Sequence, residues 1–381
     1  MDFQLTEEHR MVQSMVREFA SKEILPVAAE LDRTETFPQE IIKKAAALGL
    51  MGMVVPERYG GAGMDAIAYV VAHEELARAS AGVQTIITVS NSLVADPILR
   101  YGTQAQRQRY LPGLCDGTRL GCYCLTEPSS GSDAMSLSTT ARRDGDEWVL
   151  RGTKAFVSSG VEADTCIVYA RTGQEGARGI SAFIVEKSFP GIAVGKIEKK
   201  LGIKCSSTSE IVLDDCRVPA DNVLGDLGAG GKIALSALDG GRLGIAAQAI
   251  GIARAALEDS IAYASERQQF GRPIAEFQAI QWMLADMATR IEASRLLAYR
   301  AAYLRQQGQR YTKEASMAKL FASETAMWAS HKAVQIHGGY GYIQDYAVER
   351  YFRDAKITEI YEGTSEIQRL VIARNVMETL S

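Results

Sequence analysis

One carboxylate stands where the chain turns into its last predicted helix. Glu362 lies between Tyr361 and Gly363, and either Thr364 or Ser365 can cap the helix that follows. The glycine permits a sharp turn and a close approach of the backbone to a ligand. The first free amides of the helix would point toward whatever the carboxylate reaches. The alternative is a solvated glutamate that only stabilises the helix N-terminus.

Two other stretches place hydroxyl groups where predicted strands end. Residues 122–133 have the pattern of a strand followed by a polar turn that contains glycine. Residues 152–160 combine an aromatic side chain with hydroxyls at the end of a second strand. Either stretch alone would be only a hairpin end that carries polar side chains. Together they could form one wall of a site and donate or accept hydrogen bonds to a flat heteroaromatic ring.

Other patterns that suggest chemistry each lack an essential residue. Residues 226–233 suggest a phosphate-binding loop, but Asp226 stands where the first glycine belongs and Ile233 replaces the Ser or Thr that would bind magnesium. The four histidines have no metal-ligand spacing, and the serines lack the context of a nucleophile elbow. The six cysteines include no C-x-x-C pair, so reduced, buried thiols are predicted. No metal site is expected.

Length and charge exclude several classes of protein. A chain of 381 residues is too long for one ordinary core, so two or three domains are expected. The hydrophobic content of 47% and the charged content of 23% are ordinary for a globular protein. A net charge of −4 argues against nucleic acid or an anionic membrane as the main partner. The chain shows neither an apolar run of membrane-spanning length nor a signal-peptide pattern, so a cytoplasmic protein is expected.

The periodic segments follow the order helices, strands, helices. Residues 1–118 are predicted to be helical, with Thr6 capping a first helix, Pro38 in the first turn of a second, and further helices near 66–79 and 95–111. Residues 119–228 contain short apolar runs between turn residues, which favours an antiparallel sheet. Residues 229–381 carry the long apolar stripes of a four-helix bundle. The sequence therefore predicts an α+β multidomain protein with three domains at these boundaries.

Five sequence blocks in this order resemble the acyl-CoA dehydrogenases, flavoenzymes that oxidise acyl thioesters of coenzyme A to 2-enoyl thioesters. The blocks are residues 123–133, 154–158, 239–242, 267–271, and 335–341 together with 361–366. The resemblance covers essentially the whole chain. One block would be a weak signal, but five at matching spacing are highly specific, and the three-domain fold of that family is expected.

The resemblance implies a role for each matching residue, beginning with Glu362 as the catalytic base. It implies substrate contacts by Ser132, Asp239, Arg242, Tyr361 and Gly363. It implies that FAD is held by strand ends, by the start of the last helix, and by residues of the helical bundle that act largely across a subunit interface. These are Tyr123, Leu125, Thr126, Ser132, Phe156, Val157, Ser158, Thr364 and Glu366, and on the bundle Arg267, Phe270, Gln278, Gln335, Ile336, Gly338 and Gly339.

The family chemistry explains these residue types. A thioester α-proton is weakly acidic, so the base must be close and desolvated, and donors must stabilise the developing enolate oxygen. Burial under an acyl-CoA is expected to raise the pKa of Glu362. In the family those donors are the amide of the base and a ribityl hydroxyl of FAD, and the β-hydride passes to the flavin. The resemblance further implies an electron-transferring flavoprotein as acceptor and a homotetramer built as a dimer of dimers.

The chain departs from the usual family pattern at two positions. Phe156 stands where the family usually has Trp, and Ser158 where it usually has Thr. Some members place the base just before the Arg of the third block, but that residue is Gly241 here, so only Glu362 can serve. A short-chain dehydrogenase is favoured, and the choice between straight (butyryl) and branched (isobutyryl or 2-methylbutyryl) substrates stays open. An oxidase and a redox-silent CoA-binding protein on the same fold are the alternatives.

Overall fold

The N-terminal part of the described chain is helical. The computed structural model describes residues 4–173 and 176–378, so the outermost residues of the predicted first and third domains, 1–3 and 379–381, lie outside it. None of the described helices combines the length and the apolar character needed to cross a membrane. The helices are α1 (Glu7–Phe19), α2 (Ala28–Thr34), α3 (Gln39–Ala47), α4 (Ala66–Ala79), α5 (Ala81–Thr88), α6 (Asp96–Tyr101) and α7 (Gln104–Cys115).

The predicted starts of the first two helices agree with the structure. The Thr6 side chain accepts a hydrogen bond from the amide of His9 and forms a capping box that begins α1, and Pro38 immediately precedes α3. The single helix predicted near 95–111 is wrong, because α6 and α7 are separate helices. The sequence also missed α5 and the π-helical turn after it, since all of residues 81–95 are buried and therefore show no amphipathic period.

The middle part is a mixed but mainly antiparallel sheet. Its strands are β1 (Gly121–Cys124), β2 (Thr140–Asp144), β3 (Glu147–Ser158), β4 (Thr165–Arg171), β5 (Ile180–Glu186), β6 (Ile192–Ile197), β7 (Thr208–Pro219) and β8 (Val223–Leu224). The order is β6-β7-β3-β2-β4-β5-β8, and β1 lies beside β4. The predicted antiparallel pattern has two exceptions, because β1 runs parallel to β4 and β2 meets β4 in one parallel pair.

The C-terminal part is built around one long helix. It contains α8 (Gly230–Glu266), a short antiparallel pair β9 (Gln268–Gln269) and β10 (Arg272–Pro273), α9 (Gln278–Gln306), α10 (Thr312–His337), α11 (Val348–Thr358) and α12 (Ser365–Glu378). The middle of α8, residues 240–253, is buried because α4, α9, α10 and α11 all pack against this helix. The four predicted bundle helices are α8, α9, α10 and α12. The short helix α11 and the β9–β10 pair were not predicted.

Candidate active site

Glu362 lies on a strained turn between α11 and α12. Its φ is +53° and that of Gly363 is +93°, so both residues have left-handed backbone conformations. Such a conformation is costly for a residue with a side chain and persists where the surroundings fix it. Lys319 Nζ donates to the carbonyl of Gly363 at 2.8 Å, and Gln368 Nε2 donates to the carbonyls of Glu362 and Gly363 at 3.1 and 2.8 Å. Two buried side chains therefore hold the turn.

The carboxylate of Glu362 is enclosed and unsatisfied. The residue as a whole is half-buried, but its Oε2 is buried and has no hydrogen-bond partner among the described residues. Burial raises the pKa of Glu362 to about 8, although the nearby cations Lys319 and Arg242 lower it. A Cβ built on Gly241 would lie 1.9 Å from that Oε2. The carboxylate therefore packs directly against the backbone of α8, in space that only a glycine leaves open.

Lys319 is a buried cation on the small-residue face of α10. Burial lowers its pKa to about 8, against the opposing effect of Glu362. A base and a cation of opposite charge thus share one enclosed region, each with a pKa near the physiological range. Sequence reasoning assigned no role to Lys319. The available signal was a lysine on a helix face made otherwise of Ala315, Ala318, Ala322 and Ser323, where an unpaired charge is costly.

A second ionic group lies on α8, at the residue that follows Gly241. The guanidinium of the buried Arg242 donates to Asp239 Oδ1 at 2.6 Å and to Ser316 Oγ at 3.3 Å, while Asp239 Oδ2 accepts from Thr312 at 2.6 Å. Arg242 lines a cavity beside Glu362, and its buried Nε has no hydrogen-bond partner in the described chain. Asp239, which was expected to contact substrate, lines none of the three cavities described below and contacts Arg242 and Thr312.

A narrow cavity of about 190 Å³ runs from Glu362 into the helices. Its apolar walls come from α5, the π-helical turn and α8, namely Thr85, Thr88, Val89, Leu93, Leu235, Leu238 and Ile245. The hydroxyl of Tyr361 donates to Gln248 Oε1. Gln248 Nε2 in turn donates to Thr85 Oγ1 at 2.8 Å and to the carbonyl of Ala81 at 3.0 Å. This buried chain of hydrogen bonds ties the Glu362 turn to α5 across α8.

A wider cavity of about 610 Å³ meets the narrow one at Glu362. The two predicted strand ends form one wall, and the turn from Tyr361 to Thr364 forms another. Of the residues expected around a cofactor ring, Tyr123 and Leu125 line the narrow cavity, Thr364 lines the wide one, and Thr126, Ser132, Phe156 and Ser158 line both. The Val157 side chain is turned away into the core of the sheet, because neighbouring residues of a strand face opposite sides. Glu366 is exposed at the start of α12.

A buried ion pair fixes the two strand ends against each other. Lys154 Nζ donates to Glu127 Oε1 at 2.7 Å and to the carbonyl of Leu125 at 3.2 Å. The amide of Ala155 donates to the carbonyl of Thr126 at 2.8 Å. Burial alone would raise the pKa of Glu127, but Lys154 and the hydrogen bonds at this carboxylate lower it to about 2. The sequence contains both charges within the recognised blocks, yet only the sheet shows that they are partners.

A third cavity, of about 530 Å³, lies at another end of the bundle. Arg267, Ile336, Gly338 and Gly339 line it, and it shares no lining residue with the other two cavities. Three further predicted residues, Phe270, Gln278 and Gln335, are exposed and do not line it. Phe270 is 94% exposed beside the β9–β10 pair, with φ at +53°. The predicted site residues therefore form two groups within one chain.

Comparison with known proteins gives a consistent result over the whole chain. Three family models match: the acyl-CoA dehydrogenase N-terminal domain over residues 6–118, the middle domain over 122–216, and the C-terminal domain over 228–377. A protein of Clostridium acetobutylicum named acyl-CoA dehydrogenase, short-chain specific, is 50% identical over 377 residues, which is 99% of this chain and 100% of that protein.

Two solved structures have nearly the same fold. Butyryl-CoA dehydrogenase from Megasphaera elsdenii matches with a TM-score of 0.97 and 45% identity, covering 99% of this chain and 100% of that one. A chain from a structure described as the electron transferring flavoprotein of Acidaminococcus fermentans matches with a TM-score of 0.98 and 48% identity, with the same coverage. Full-length matches at this identity, together with the three family models, establish that the chain belongs to the acyl-CoA dehydrogenase family.

Proposed function

We propose that this protein is an FAD-dependent dehydrogenase of short-chain acyl-CoA thioesters in which Glu362 removes the α-proton. The observation that carries the proposal is the position of the Glu362 carboxylate, enclosed and without a partner, where the narrow and wide cavities meet. An acyl chain in the narrow cavity would present its α-carbon to this carboxylate. Because a general base works best with a pKa near the operating pH, a value near 8 suits the task.

The residues of the wide cavity fit the ring of FAD. Its wall combines an aromatic side chain, Phe156, with the hydroxyls of Thr126, Ser132, Ser158 and Thr364, which can hydrogen-bond the polar edge of a flat heterocycle. The chemistry that FAD supplies when bound is acceptance of the β-hydride. The protein itself would hold the Glu362 carboxylate, which accepts the α-proton, in place and exclude water from it. The amide of Glu362 would stabilise the negative charge that develops on the thioester oxygen.

The walls of the narrow cavity favour a short acyl chain. Tyr361 and Thr85 line this cavity and are joined by hydrogen bonds through Gln248, so moving them apart would break those bonds. Leaving buried polar groups without partners costs about 1–3 kcal/mol each, so a longer substrate is not expected to separate these residues. Both straight and branched four-carbon acyl groups remain compatible with the apolar walls.

A panel of acyl-CoA substrates tests the proposed function. We expect butyryl-CoA or isobutyryl-CoA to bleach the flavin fastest and octanoyl-CoA to be slower by at least about tenfold, since four extra methylenes have no cavity to fill. Gln248→Ala should reduce the ratio of the two rates, whereas Gln309→Ala, at an exposed position outside the three cavities, should leave it unchanged. Efficient use of octanoyl-CoA by the wild type would contradict the short-chain proposal. Binding of acyl-CoA without bleaching would favour the redox-silent alternative.

The pH dependence of the reaction should report the charge around Glu362. We expect kcat/KM to rise with pH through about 8, because the free enzyme's base must lose its proton before it can act. Lys319→Met should move this rise to higher pH, because the ammonium that lowers the pKa of Glu362 is removed. Lys332→Met, on the same helix but away from the turn, serves as the control. An unchanged or lower midpoint in Lys319→Met would contradict the proposed coupling.

The proposed partners are a second copy of the chain and an electron-transferring flavoprotein. The third cavity and the exposed Phe270 would complete the FAD site of a neighbouring subunit in a homotetramer, since the resemblance implies that these residues act across a subunit interface. The match to the Acidaminococcus fermentans structure supports an electron-transferring flavoprotein as the acceptor of electrons.

Flavin retention and subunit association should fail together in Arg267→Ala. Arg267 lines the third cavity and stacks over Tyr340, at 5.6 Å from the ring centroid, so its loss removes a cation that could pair with the pyrophosphate of FAD there. We expect a lower FAD content per chain and a smaller assembly by sedimentation. Arg272→Ala, on the adjacent β10 and outside the cavity, is the matched control. A monomeric Arg267→Ala protein that keeps full FAD would argue against a shared site.

A further inference from the structure

Three cysteine side chains meet in the core of the sheet, on the far side of β1 from the cavities. Side chains alternate along a strand, so Tyr123 and Leu125 face the narrow cavity while Cys122 and Cys124 face the apolar interior. Cys166 joins them from β4, because the parallel register of the two strands places it beside Cys122. All three are buried and none is in a disulfide.

The sulfur atoms are spaced as ligands of one ion. The three Sγ atoms lie within 4.8 Å of one another, and those of Cys122 and Cys124 are 3.7 Å apart. A zinc–thiolate bond of about 2.3 Å in tetrahedral geometry requires sulfur atoms about 3.8 Å apart. The group contains only sulfur donors, which suit soft cations such as Zn²⁺ and Cu⁺ and do not suit Mg²⁺ or Ca²⁺.

Two cations lie near the cluster. Lys154 is near Cys124 and Lys187 is near Cys166, although Lys154 is itself paired with Glu127. The remaining surroundings are apolar and include Phe183, so thiolates without a counter-ion would be costly there. A bound cation would remove most of that cost.

We propose that Cys122, Cys124 and Cys166 form a trithiolate site for one soft d¹⁰ cation of the Zn²⁺ or Cu⁺ class. Binding exchanges the thiol protons, which pass to solvent, for sulfur–metal bonds and involves no change of oxidation state. The ion cross-links β1 to β4 behind the wall that carries Tyr123 and Leu125. This site is separate from the catalytic centre, so it is independent of the proposed dehydrogenase activity.

Cadmium binding to the flavin-loaded, full-length protein tests the site. Chelator-treated, reduced protein is incubated with Cd²⁺, and the bound metal is measured by equilibrium dialysis and by the near-ultraviolet thiolate-to-cadmium absorption. We expect one tightly bound Cd²⁺ per chain, which displaces Zn²⁺ because sulfur donors prefer the softer ion, and a higher melting temperature because the ion binds only the folded state. Cys124→Ala and Cys166→Ala should each weaken binding by more than the roughly 10–100-fold that loss of an outer-shell partner costs.

Cys115→Ala provides the matched control, since Cys115 is another buried free thiol but lies in a different apolar cluster. It should bind Cd²⁺ like the wild type. Flavin absorbance and melting curves establish that each variant is folded, and if a variant is not, the stoichiometry and absorption band of the wild type still decide. Absence of the tight thiolate band in the wild type, or its survival in both Cys124→Ala and Cys166→Ala, would overturn the proposal.

Discussion

Glu362→Gln is expected to lower turnover by a factor of at least about 10²–10⁴, the usual effect of losing a general base. Glutamine keeps the size of the side chain and the positive φ of the turn, so FAD and acyl-CoA binding should survive. The carboxylate is the enclosed group at the junction of the two cavities, and the position used by other family members is a glycine here, so no second carboxylate can take over. Flavin bleaching by butyryl-CoA and isobutyryl-CoA measures the loss.

The competing interpretation is that Glu362 only stabilises the start of α12. Under it, Gln would cost a few tenths of a kcal/mol of stability and leave bleaching nearly normal. Glu359→Gln is the matched control, because Glu359 lies three residues earlier and pairs with Lys356 at 2.6 Å, outside the three cavities. Normal bleaching in Glu362→Gln would refute the assignment of the base.

Adding a single methyl group to α8 at Gly241 is expected to lower turnover almost as much as Glu362→Gln does. In Gly241→Ala the new Cβ would occupy the space of Glu362 Oε2, at 1.9 Å, so the carboxylate must move. A displacement of about 1 Å in a catalytic group can cost about 10²-fold in rate, and we expect a loss of that order in bleaching. Flavin content should stay normal, because Gly241 lines none of the cavities.

The neighbouring glycine provides an internal control for this effect. A Cβ on Gly240 would meet Arg305 Nη1 at 3.4 Å, which is an ordinary contact. Both alanine variants gain about 0.5–1 kcal/mol of helix stability, so they differ mainly in what the methyl group touches. Gly240→Ala should therefore keep most of its activity. Equal losses in both variants would show that the helix, and not the carboxylate, is what the substitution disturbs.

The same geometry determines how the base could be relocated. Because the Glu362 side chain fills the space beside Gly241, a glutamate on α8 requires that side chain to be removed and not merely neutralised. Glu362→Gly combined with Gly241→Glu should recover part of the activity lost in Glu362→Gly alone. Failure to recover any activity in a folded, flavin-loaded double variant would mean that a base on α8 cannot reach the substrate in this protein.

The family and the three-part fold could be predicted from the sequence because the signals were local. Strand ends such as Thr126 and Ser158 and the turn at Glu362 each have their own pattern, and the structure brings them around two adjoining cavities. The buried helix α5 gave no such signal, since a segment surrounded by apolar neighbours loses its amphipathic period.

The sequence did not reveal the residues whose hydrogen bonds hold the Glu362 turn in place. Lys319 and Gln248 contact the Glu362 turn from distant parts of the chain, and Gln368 contacts it from the first turn of α12. Their partners are backbone carbonyls and one hydroxyl, which have no sequence signature. The three clustered cysteines were missed for a similar reason. Cys166 is distant in sequence, and only the parallel pairing of β1 with β4 brings it to the other two.

The hydrogen bond from Lys319 to the Gly363 carbonyl restricts which substitutions can alter the pKa of Glu362. Burial raises the pKa of Glu362, and the same ammonium group that bonds to the turn lowers it. A substitution at this position therefore cannot retune the proton affinity of Glu362 without also loosening its geometry. Adaptation to a more or less acidic substrate is expected to proceed through Arg242, which influences the same carboxylate but makes no bond to the turn.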